Sequence, residues 1–353
     1  MLDFVVGSQA SATPLLSVVM AVKDGGIFLQ KAIDSILQQT FSNFELIVID
    51  DGSTDNTWQI LESYRDTRMR IVKQENQGVS RASNRGLAMA RGKYITRHDH
   101  DDISLPTRFA QQVEHLQAHP QCAYVGTRAQ IWMGDTSTSR THDHPTSPGM
   151  LAFALLFDSP FVLSSCMFRR ELLETVGMYA TESSRIPMED FEFVSRVARQ
   201  FELANLPEYL LIYRETPQSE SSALRLPDNQ KAQLILSRIS LFSAENLAFA
   251  CGRSQPTLED RDFGALCHWY FAGVSPKPNY VRIRASVKEA ANRIAQRFNE
   301  PQVLRLAKAK LSELDYQYYT YMEQTWQLQR LIYILRTRSL IQLWASLKKR
   351  ILP

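Results

Sequence analysis

Two clusters of carboxylates are the residues in this chain whose types and spacing best suit chemistry. Asp50 and Asp51 follow a β-type run at residues 44–49, and the tetrapeptide Asp-His-Asp-Asp at residues 99–102, here called the DHDD segment, follows another at residues 94–98. In an open α/β sheet, ligands bind outside the carboxyl ends of the strands. We therefore expect both clusters to face one crevice.

Carboxylates grouped this closely repel one another unless a cation or a hydrogen-bonding ligand compensates their charge. Their oxygen atoms suit Mg²⁺ or Mn²⁺ holding a diphosphate, and one of these ions is the cofactor we predict. The alternative is that the aspartates simply occupy turns and helix N-termini, which they favour; this explanation suits Asp55 best. The complete DHDD segment favours the cation site.

The histidines allow a rival interpretation, a His/Asp transition-metal centre built from His98 and His100 with help from His142 and His144. Alternate residues of a strand face opposite ways. While the strand persists, His98 and His100 should therefore point away from the aspartates beside them. This geometry favours the Mg²⁺ or Mn²⁺ site over the transition-metal centre.

Strand-like and helical patterns alternate through the first hundred residues, which predicts βαβ units and a mostly parallel sheet. The predicted strands are residues 16–22, 44–49, 69–73 and 94–98, and the predicted helices are 27–38, 56–64 and 80–90. Further along we expect a helix at 103–120 opened by Ser104 and Pro106, a strand at 122–133, a loop at 134–149, a strand at 161–169, helices at 170–176 and 190–200, and extended segments at 201–213. After about residue 219 the periodicity is almost continuously helical.

Seven segments resemble, in order and spacing, the family 2 glycosyltransferases, whose catalytic domain has the GT-A fold. They are residues 17–20, 32–41, 44–55, 84–86, 92–95, 99–102 and 188–190. The resemblance spans residues 16 to about 214. It implies an α/β fold with a GT-A type, Rossmann-like, mostly parallel sheet flanked by helices, followed by a C-terminal helical appendage.

The resemblance also implies how a nucleotide-sugar donor is held. The first strand and the loop after it bind the nucleotide, which assigns Ala21, Val22 and Asp24 to this role, although the loop departs from the family's Pro-x-Tyr-Asn-like run. Asp51 is expected to contact the nucleobase, because a carboxylate accepts hydrogen bonds from ring N–H groups. Asp50 is expected to brace the turn instead.

Arg81 and Asn84 lie three residues apart on one predicted helix face, so both are expected at the nucleotide-sugar site. The family commonly has Arg-Asn where this chain has Ser83-Asn84. Arg81 is therefore either the substitute for the missing charge or an ordinary surface residue.

Within the DHDD segment, the resemblance assigns Asp99, His100 and Asp101 to nucleotide-sugar binding. Asp101 is expected to coordinate the metal that bridges the diphosphate oxygens, and Asp99 to approach the metal or the ribose. The cation would stabilise the negative charge that grows on the leaving nucleoside diphosphate. Asp102 is expected to support these groups or to cap the next helix.

The segment at residues 188–190 resembles the family's Glu-Asp motif, in which the aspartate removes the proton of the acceptor hydroxyl. Asp190 is therefore the predicted catalytic base, with Glu189 beside it on the acceptor side, and inversion without a covalent intermediate is expected. The alternative is that both acids merely complement the dipole of a helix N-terminus. Arg214 matches a family position near a closing loop, on the acceptor side, where it would touch phosphate.

Departures from the family cluster on the acceptor side. Leu163 and Ser164 stand where many relatives carry His-Pro, and Arg214-Glu215-Thr216 replaces an Arg-x-His pattern. Donor binding is therefore better supported by the sequence than the identity of the acceptor.

Composition narrows the class of protein. The chain has 353 residues, 44% of them hydrophobic, and its 40 basic and 37 acidic residues leave a net charge of +3. This even balance gives no argument for a nucleic-acid partner. The four cysteines form no CxxC pair, and neither a signal peptide nor an apolar run of about 18 residues occurs, so we expect a cytoplasmic chain.

Three regions are expected: an N-terminal leader at 1–13, a GT-A domain at 14–218 with a nucleotide-binding half (14–102) and an acceptor half (103–218), and a mostly helical region at 219–353. The last 30 residues contain six lysines and arginines and no acid after Glu323. Apolar residues recur between these charges at helical spacing. Such a helix either lies on an anionic membrane surface, at the inner face of the cell membrane near a lipid-linked acceptor, or packs on its own protein.

These features predict an inverting glycosyltransferase that moves a sugar from a nucleoside-diphosphate sugar to a hydroxyl of a glycan or glycolipid. The resemblance implies bacterial cell-surface polysaccharide synthesis. Two alternatives stay open: a sugar-nucleotide-binding assembly protein without turnover, and a nucleotidyltransferase. The second would want a Gly-rich phosphate loop after the first strand, and Asp24-Gly25-Gly26 is a poor version of one.

Overall fold

The computed structural model describes residues 5–6, 13–216 and 230–325. The strands in these ranges are β1 (Val5–Val6), β2 (Leu16–Val22), β3 (Phe44–Asp51), β4 (Met69–Gln74), β5 (Tyr94–Arg97), β6 (Ile103–Ser104), β7 (Cys122–Met133), β8 (Thr136–His142), β9 (Met167–Arg169) and β10 (Glu202–Glu215). The helices are α1 (Leu29–Leu37), α2 (Thr57–Ser63), α3 (Val79–Met89), α4 (Arg108–Ala118), α5 (Pro148–Ala154), α6 (Leu172–Val176), α7 (Glu189–Ala198), α8 (Gln230–Ala250), α9 (Leu258–Cys267), α10 (Tyr280–Phe298) and α11 (Gln302–Thr325). The strands form one sheet.

Alternate residues of the central strands β2 and β3 pack into two separate cores. Val19, Ile47 and Ile49 lie with residues of α3 and α7 on one face of the sheet. Val18 and Leu46 lie with residues of α1 and α4 on the other face. Strands buried on both faces need nearly continuous apolar runs, which both strands have. The sheet is therefore covered by helices on both sides.

The order of the strands creates a switch point at β2. The sheet runs β1-β4-β3-β2-β5-β9-β7-β10-β6, with β8 paired to β7 off this path. Strands β4, β3, β2 and β5 are parallel. The chain moves outward from β2 through β3 to β4 and then returns to β5 on the opposite side of β2. Open α/β sheets bind ligands at such a reversal, and the DHDD segment begins two residues after β5 ends.

The second half of the sheet is mixed. Strands β7 and β10 are parallel, whereas β9 runs antiparallel to both β5 and β7. The short strand β6 pairs with β10, with Ile103 opposite Ile212 and Ser104 opposite Leu211. This pairing fixes the residues after the DHDD segment beside the carboxyl end of β10, and Arg214 is therefore held next to the segment.

Several predicted elements have the wrong extent. The helix predicted at 103–120 begins only at Arg108, because residues 103–104 pair with β10 as β6. The strand predicted at 161–169 is interrupted by a 3₁₀ turn at Leu163–Ser165, which leaves β9 only three residues. In both places, pairing and packing with residues distant in sequence determine the local structure. A local sequence pattern contains no information about these contacts.

The prediction of a loop at 134–149 is also wrong, since these residues include strand β8 and the start of α5. Gly134, with φ of 57°, closes the turn between β7 and β8. Within the described ranges β8 pairs only with β7, and most of its residues are exposed. An edge strand that buries little surface needs no apolar alternation, so its Thr- and Ser-rich sequence gave no strand signal.

The region after β10 is helical in the described range, as expected. Helices α9, α10 and α11 pack with α5 around a third core that includes Phe153 and Phe263. Helix α8 joins this core through Leu247, but its Ile235 and Phe242 belong to the core of the sheet. Among the described helices, none has the length and apolar character required to cross a bilayer.

Two expectations concern the chain ends. The basic amphipathic segment predicted near the C-terminus lies outside the described residues. In the predicted leader, residues 5–6 form β1, with Val5 opposite Val72 and Val6 opposite Ile71 of β4.

Candidate active site

The carboxylate of Asp51, at the end of β3, organises the loop that follows β4. Its Oδ1 accepts hydrogen bonds from Gln74 Nε2 at 2.7 Å and from the Gln77 N–H at 2.8 Å, and its Oδ2 accepts one from the Gly78 N–H at 2.8 Å. The side chain is buried. Asp51 therefore positions this loop at the crevice, and its contact with a nucleobase stays a prediction.

The loops after β2 and β3 are tied to each other. Asp24, with φ of 51°, accepts a hydrogen bond on Oδ1 from the Thr54 N–H at 2.7 Å, and its own N–H donates to Ser53 Oγ at 2.9 Å. Asp50 accepts from the Ser53 N–H at 2.9 Å, which is the turn-bracing position expected for it. These bonds fix the rim of the crevice on the side of the predicted nucleotide.

Ala21 and Val22, at the end of β2, have different environments. Ala21 is partly buried against the core on one face, whereas Val22 is 1% exposed in the core on the other. The Val22 side chain is therefore a core residue, and any part that Val22 plays in nucleotide binding belongs to its backbone.

The two predicted residues of α3 behave differently. Asn84 donates through Nδ2 to the Tyr179 carbonyl at 2.8 Å and accepts on Oδ1 from the Tyr179 N–H at 3.0 Å. Its amide thus anchors the segment after α6 rather than standing free for a ligand. Arg81 lies exposed on the same helix.

The DHDD segment connects β5 to β6. The Asp99 N–H donates to Ser164 Oγ at 3.0 Å. Asp102 is 1% exposed and accepts from the Arg214 N–H at 2.9 Å, and burial, with the charge of Asp101, raises its pKa well above the usual value. Burial, together with the charge of Asp99, also raises the pKa of Asp101.

His98 and His100 lie beyond β5, which ends at Arg97, so strand alternation does not orient them. His98 is buried: its Nδ1–H donates to the Asp99 carbonyl at 2.7 Å, and its Nε2 accepts from Ser104 Oγ at 2.9 Å. Burial and the nearby Arg108 lower its pKa to about 3, so the imidazole is neutral. His100 is partly buried. In the described ranges, no three His, Cys, Asp or Glu side chains converge to hold a metal ion by themselves.

Arg214 lies directly beside the DHDD segment. Its guanidinium donates to the Asp101 carbonyl at 2.6 Å, to Asp135 Oδ1 at 2.9 Å and to the Gly134 carbonyl at 3.1 Å. The residue is only 1% exposed. A fixed cation therefore stands at the place where the diphosphate is expected, and its role toward the acceptor stays a prediction.

Glu189 and Asp190 open helix α7. Glu189 is 5% exposed and its Oε1 accepts from Arg97 Nη1 at 3.0 Å. Asp190 accepts from the Phe191 N–H at 2.8 Å. Burial, reinforced by the charge of Glu189, raises the pKa of Asp190 to about 7. A carboxylate with this pKa is matched to accepting a proton near neutral pH.

Arg97, the last residue of β5, connects the two acidic elements and was missed from the sequence. Its buried guanidinium binds Glu189 and lies 3.4 Å from Asp99 Oδ1, above the ring of Tyr179 at 5.3 Å from its centre. Burial opposes its charge, but the carboxylates of Asp99 and Glu189 outweigh this effect and raise its pKa. The available signal was its position two residues before Asp99, because such residues of a strand share a face.

The charges of the site do not balance. Five carboxylates (Asp99, Asp101, Asp102, Glu189 and Asp190) stand near three arginines (Arg97, Arg108 and Arg214), which leaves two negative charges in excess when all are ionised. Burial, and after it the charge of a neighbouring carboxylate, raises the pKa values of Asp101, Asp102 and Asp190. A cation of charge +2 would remove the excess of negative charge.

The donor set fits Mg²⁺ or Mn²⁺. In the described part of the chain, no side chain donates a hydrogen bond to the Asp101 carboxylate. Asp99 lies close to Asp101, so the two carboxylates can act together. These ions bind through one or two protein carboxylates together with substrate phosphates and water, and do not need a complete protein cage. Asp101 and Asp99 are therefore the residues that would hold the ion.

The fold is shared with solved glycosyltransferase structures of the GT-A class. S. aureus TarS 1–349 in complex with UDP-GlcNAc superposes with a TM-score of 0.54 at 16% identity, covering 84% of this chain and 91% of that one. A second TarS 1–349 structure gives 0.51 at 18% identity, with the same coverage. At these identities the similarity concerns the fold, and it confirms the predicted α/β, GT-A type architecture.

Sequence comparison gives the family. The sequence model described as Glycosyl transferase family 2 matches residues 17–177. The uncharacterized glycosyltransferase EpsJ of Bacillus subtilis is 31% identical over 251 residues, which are 67% of this chain and 72% of that protein. An uncharacterized glycosyltransferase of Haemophilus influenzae is 31% identical over 233 residues, 63% and 72% of the two chains. This chain belongs to glycosyltransferase family 2, as its sequence motifs predicted, and is a glycosyltransferase.

Proposed function

We propose that the protein is an inverting glycosyltransferase that moves a sugar from a nucleoside-diphosphate sugar to a hydroxyl of a glycan or glycolipid. The observation that carries this proposal is the buried bridge of Arg97 between Glu189 and Asp99, because it holds the DHDD segment near the neighbour of Glu189, Asp190, whose pKa is raised to about 7. Asp190 is suited to accept the proton of the acceptor hydroxyl, and the DHDD segment is suited to bind the diphosphate together with a cation.

The donor is expected in the crevice at the carboxyl ends of β2, β3 and β5, at the switch point of the sheet. Asp24 and Asp51 hold the loops that form its rim. The fixed cation of Arg214 stabilises phosphate charge at the DHDD segment. Mg²⁺ or Mn²⁺, held by Asp101 and Asp99, would neutralise the charge of the leaving diphosphate.

Asp190 supplies the base. Its carboxylate accepts the proton of the acceptor hydroxyl while the acceptor oxygen forms a bond to the anomeric carbon and the bond from that carbon to the diphosphate breaks. The nucleoside diphosphate leaves with the bonding electron pair. Because attack and departure occur on opposite faces of the sugar, the anomeric configuration inverts. Glu189, which accepts a hydrogen bond from Arg97, stands beside the base, and after burial it is the charge of Glu189 that raises the pKa of Asp190.

The acceptor and the biological setting are part of the proposal. The family resemblance supports a glycan or lipid-linked acceptor and a role in bacterial surface polysaccharide synthesis. The enzyme would then act in the cytoplasm, at the inner face of the membrane. The basic segment at residues 330–350 would supply the membrane contact by attraction to anionic lipids. The domain boundaries expected near residues 13 and 218 belong to the proposal as well.

The test is turnover on a panel of UDP-, GDP- and dTDP-sugars with Mg²⁺, Mn²⁺ or EDTA present. UDP-sugars come first, because a solved chain of the same fold carries UDP-GlcNAc. We expect metal-dependent donor binding and slow donor hydrolysis. The Asp101→Asn variant should lose donor affinity, and Asp190→Asn should keep affinity while turnover falls about 100-fold or more.

Glu313→Gln is the matched control, because it makes the same carboxylate-to-amide change at an exposed position of α11. It should bind and turn over donor as the wild type does. Donor binding with no turnover in the wild type, with any acceptor supplied, would support the alternative of a non-catalytic binding protein. Release of pyrophosphate from a sugar phosphate and a nucleoside triphosphate would support a nucleotidyltransferase instead.

A further inference from the structure

A second cavity lies at the far end of helix α7 from the proposed base. It has a volume of about 540 Å³ and is formed where α5, α7, α8 and α10 meet. Arg199, just after α7, lines it, whereas Asp190 begins that helix about 13 Å away along the axis. The volume is within the range of small-molecule sites, which occur preferentially where structural units join.

Much of the wall of this cavity is apolar, and its uncharged polar members are Ser195, Asn246 and Gln296. Leu155 and Leu156, which directly follow α5, are buried, and Ile294 of α10 is 7% exposed. Phe249 of α8 also lines the cavity, yet its side chain is 41% exposed. The exposed ring of Phe249 adds apolar surface at the edge of the cavity, and a bound apolar group would remove this surface from water.

The rim of the same cavity is basic. Arg199, Arg293 and Arg297 line it, and none of the lining residues is acidic. Arg199 and Arg293 each pair with one glutamate outside the cavity, at 3.3 and 2.9 Å. Arg297 has no carboxylate within ion-pair distance in the described ranges, and the Nε of Arg199 is buried there without an acceptor. This rim therefore offers donors and positive charge to an anion.

We propose that this cavity binds an amphipathic anion, namely an apolar chain that ends in a phosphate. The apolar wall takes the chain, and the guanidinium groups take the phosphate, whose oxygens match their planar donors. The C-terminal segment of the protein is a poor occupant, because residues 326–353 carry six lysines and arginines and no acid.

The test is isothermal titration of the full-length protein with decyl phosphate below its micellar concentration. Decyl maltoside supplies the same chain without the charge, and inorganic phosphate supplies the charge without the chain. We expect decyl phosphate to bind one site per protein, at least about tenfold more tightly than either control.

Arg297→Glu should weaken decyl phosphate binding about tenfold or more, because it reverses a rim charge for which the described residues supply no carboxylate partner. Arg282→Glu is the matched control, since it makes the same change on α10 at a side chain that is 74% exposed and outside the cavity. It should leave the affinity within about twofold. Ala250→Trp, which fills the cavity from α8, should abolish binding, with circular dichroism confirming the fold.

Three results would overturn the proposal: no heat of binding with decyl phosphate at millimolar concentration, equal affinity for decyl maltoside or inorganic phosphate, or equal weakening by Arg297→Glu and Arg282→Glu. Because the readout is binding of a molecule that is not a glycosyl donor, failure here is distinguishable from failure of the proposed glycosyl transfer. Turnover of the donor plays no part in it.

Discussion

Arg97 is the residue on which the two acidic elements depend. It is 5% exposed, donates to Glu189 at 3.0 Å and lies 3.4 Å from Asp99. Replacing one partner of a buried ion pair leaves an uncompensated charge, which costs about 3 to 5 kcal/mol. We expect Arg97→Met to lower the free energy of unfolding by about this amount in urea titrations, and Arg97→Lys by clearly less.

Glu189→Gln provides the internal control, because it removes the charge that Arg97→Met leaves unpaired. The double variant should therefore recover part of the lost stability, and a double-mutant cycle would measure that coupling. If the effects of the two single substitutions add without coupling, Arg97 does not hold Glu189 in solution.

Steady-state kinetics of Arg97→Lys should show a lower kcat with little change in donor KM, because the cation survives but the two carboxylates are positioned less well.

Asp190 predicts a pH dependence of catalysis. Burial and the charge of Glu189 raise its pKa to about 7. A base must be deprotonated to act, so kcat should rise with pH and level off above about 7. The kcat of Asp190→Asn should not rise with pH, and it should be lower than that of the wild type by about 100-fold or more. A wild-type kcat that is constant between pH 5 and 8, with chemistry rate-limiting, would contradict the assignment.

The same shift predicts how stability depends on pH. The folded protein holds a proton on Asp190 up to about pH 7, whereas the unfolded chain releases it near the ordinary pKa of 3.8. Stability from this group is therefore present at low pH and lost as pH rises to about 7. Between pH 5 and 8, the wild type should lose about 2 to 3 kcal/mol relative to Asp190→Asn. Urea unfolding of both proteins at the two pH values measures this difference.

At the scale of elements, the rim of the crevice is held by side chains that bind backbone. The carboxylate of Asp51 accepts the N–H groups of Gln77 and Gly78 at 2.8 Å, whereas the second acceptor of the Gly78 N–H, Asn76 Oδ1, is at 3.2 Å. Asp51→Ala should lower the free energy of unfolding by about 1 to 3 kcal/mol and speed amide hydrogen exchange at Gly78. Asp24→Ala, at an exposed position that accepts one backbone N–H, should cost less and leave Gly78 unchanged.

The elements near the site show how far a sequence can be interpreted. Strands β2, β3 and β7 were predicted within two residues, because their runs are long and apolar. The local pattern predicts a helix at the short strand β6, because only its pairing with β10 makes it a strand. It predicts a loop at the exposed strand β8, because the polar sequence of β8 carries no burial signal.

The same reasoning applies to the site. The carboxylates were recognised because several of them fall next to each other in the sequence. The arginines that balance them were not all recognised, because Arg97 reaches Glu189 across 92 residues and Arg108 lies at the start of a helix behind the site. A sequence displays clusters that are local, whereas counter-charges are supplied by the tertiary structure.

At the scale of the whole molecule, the helical region and the sheet are built on a shared helix. The first half of α8 packs into the sheet core, and Phe242 meets Phe191 edge-to-face with ring centres 5.8 Å apart. Phe191 directly follows Asp190 in α7. The helical region therefore supports the helix that carries the proposed base, and the two parts are expected to unfold together.

Phe242→Ala tests this coupling, because the ring is fully buried and contacts α7. Its loss should cost about 3 to 5 kcal/mol, shift a single unfolding transition, and lower turnover by disturbing the start of α7. Leu258→Ala, at a residue of α9 that is 61% exposed, should change stability by less than about 0.5 kcal/mol. Two separate transitions, of which Phe242→Ala moves only one, would mean that the helices fold independently of the sheet.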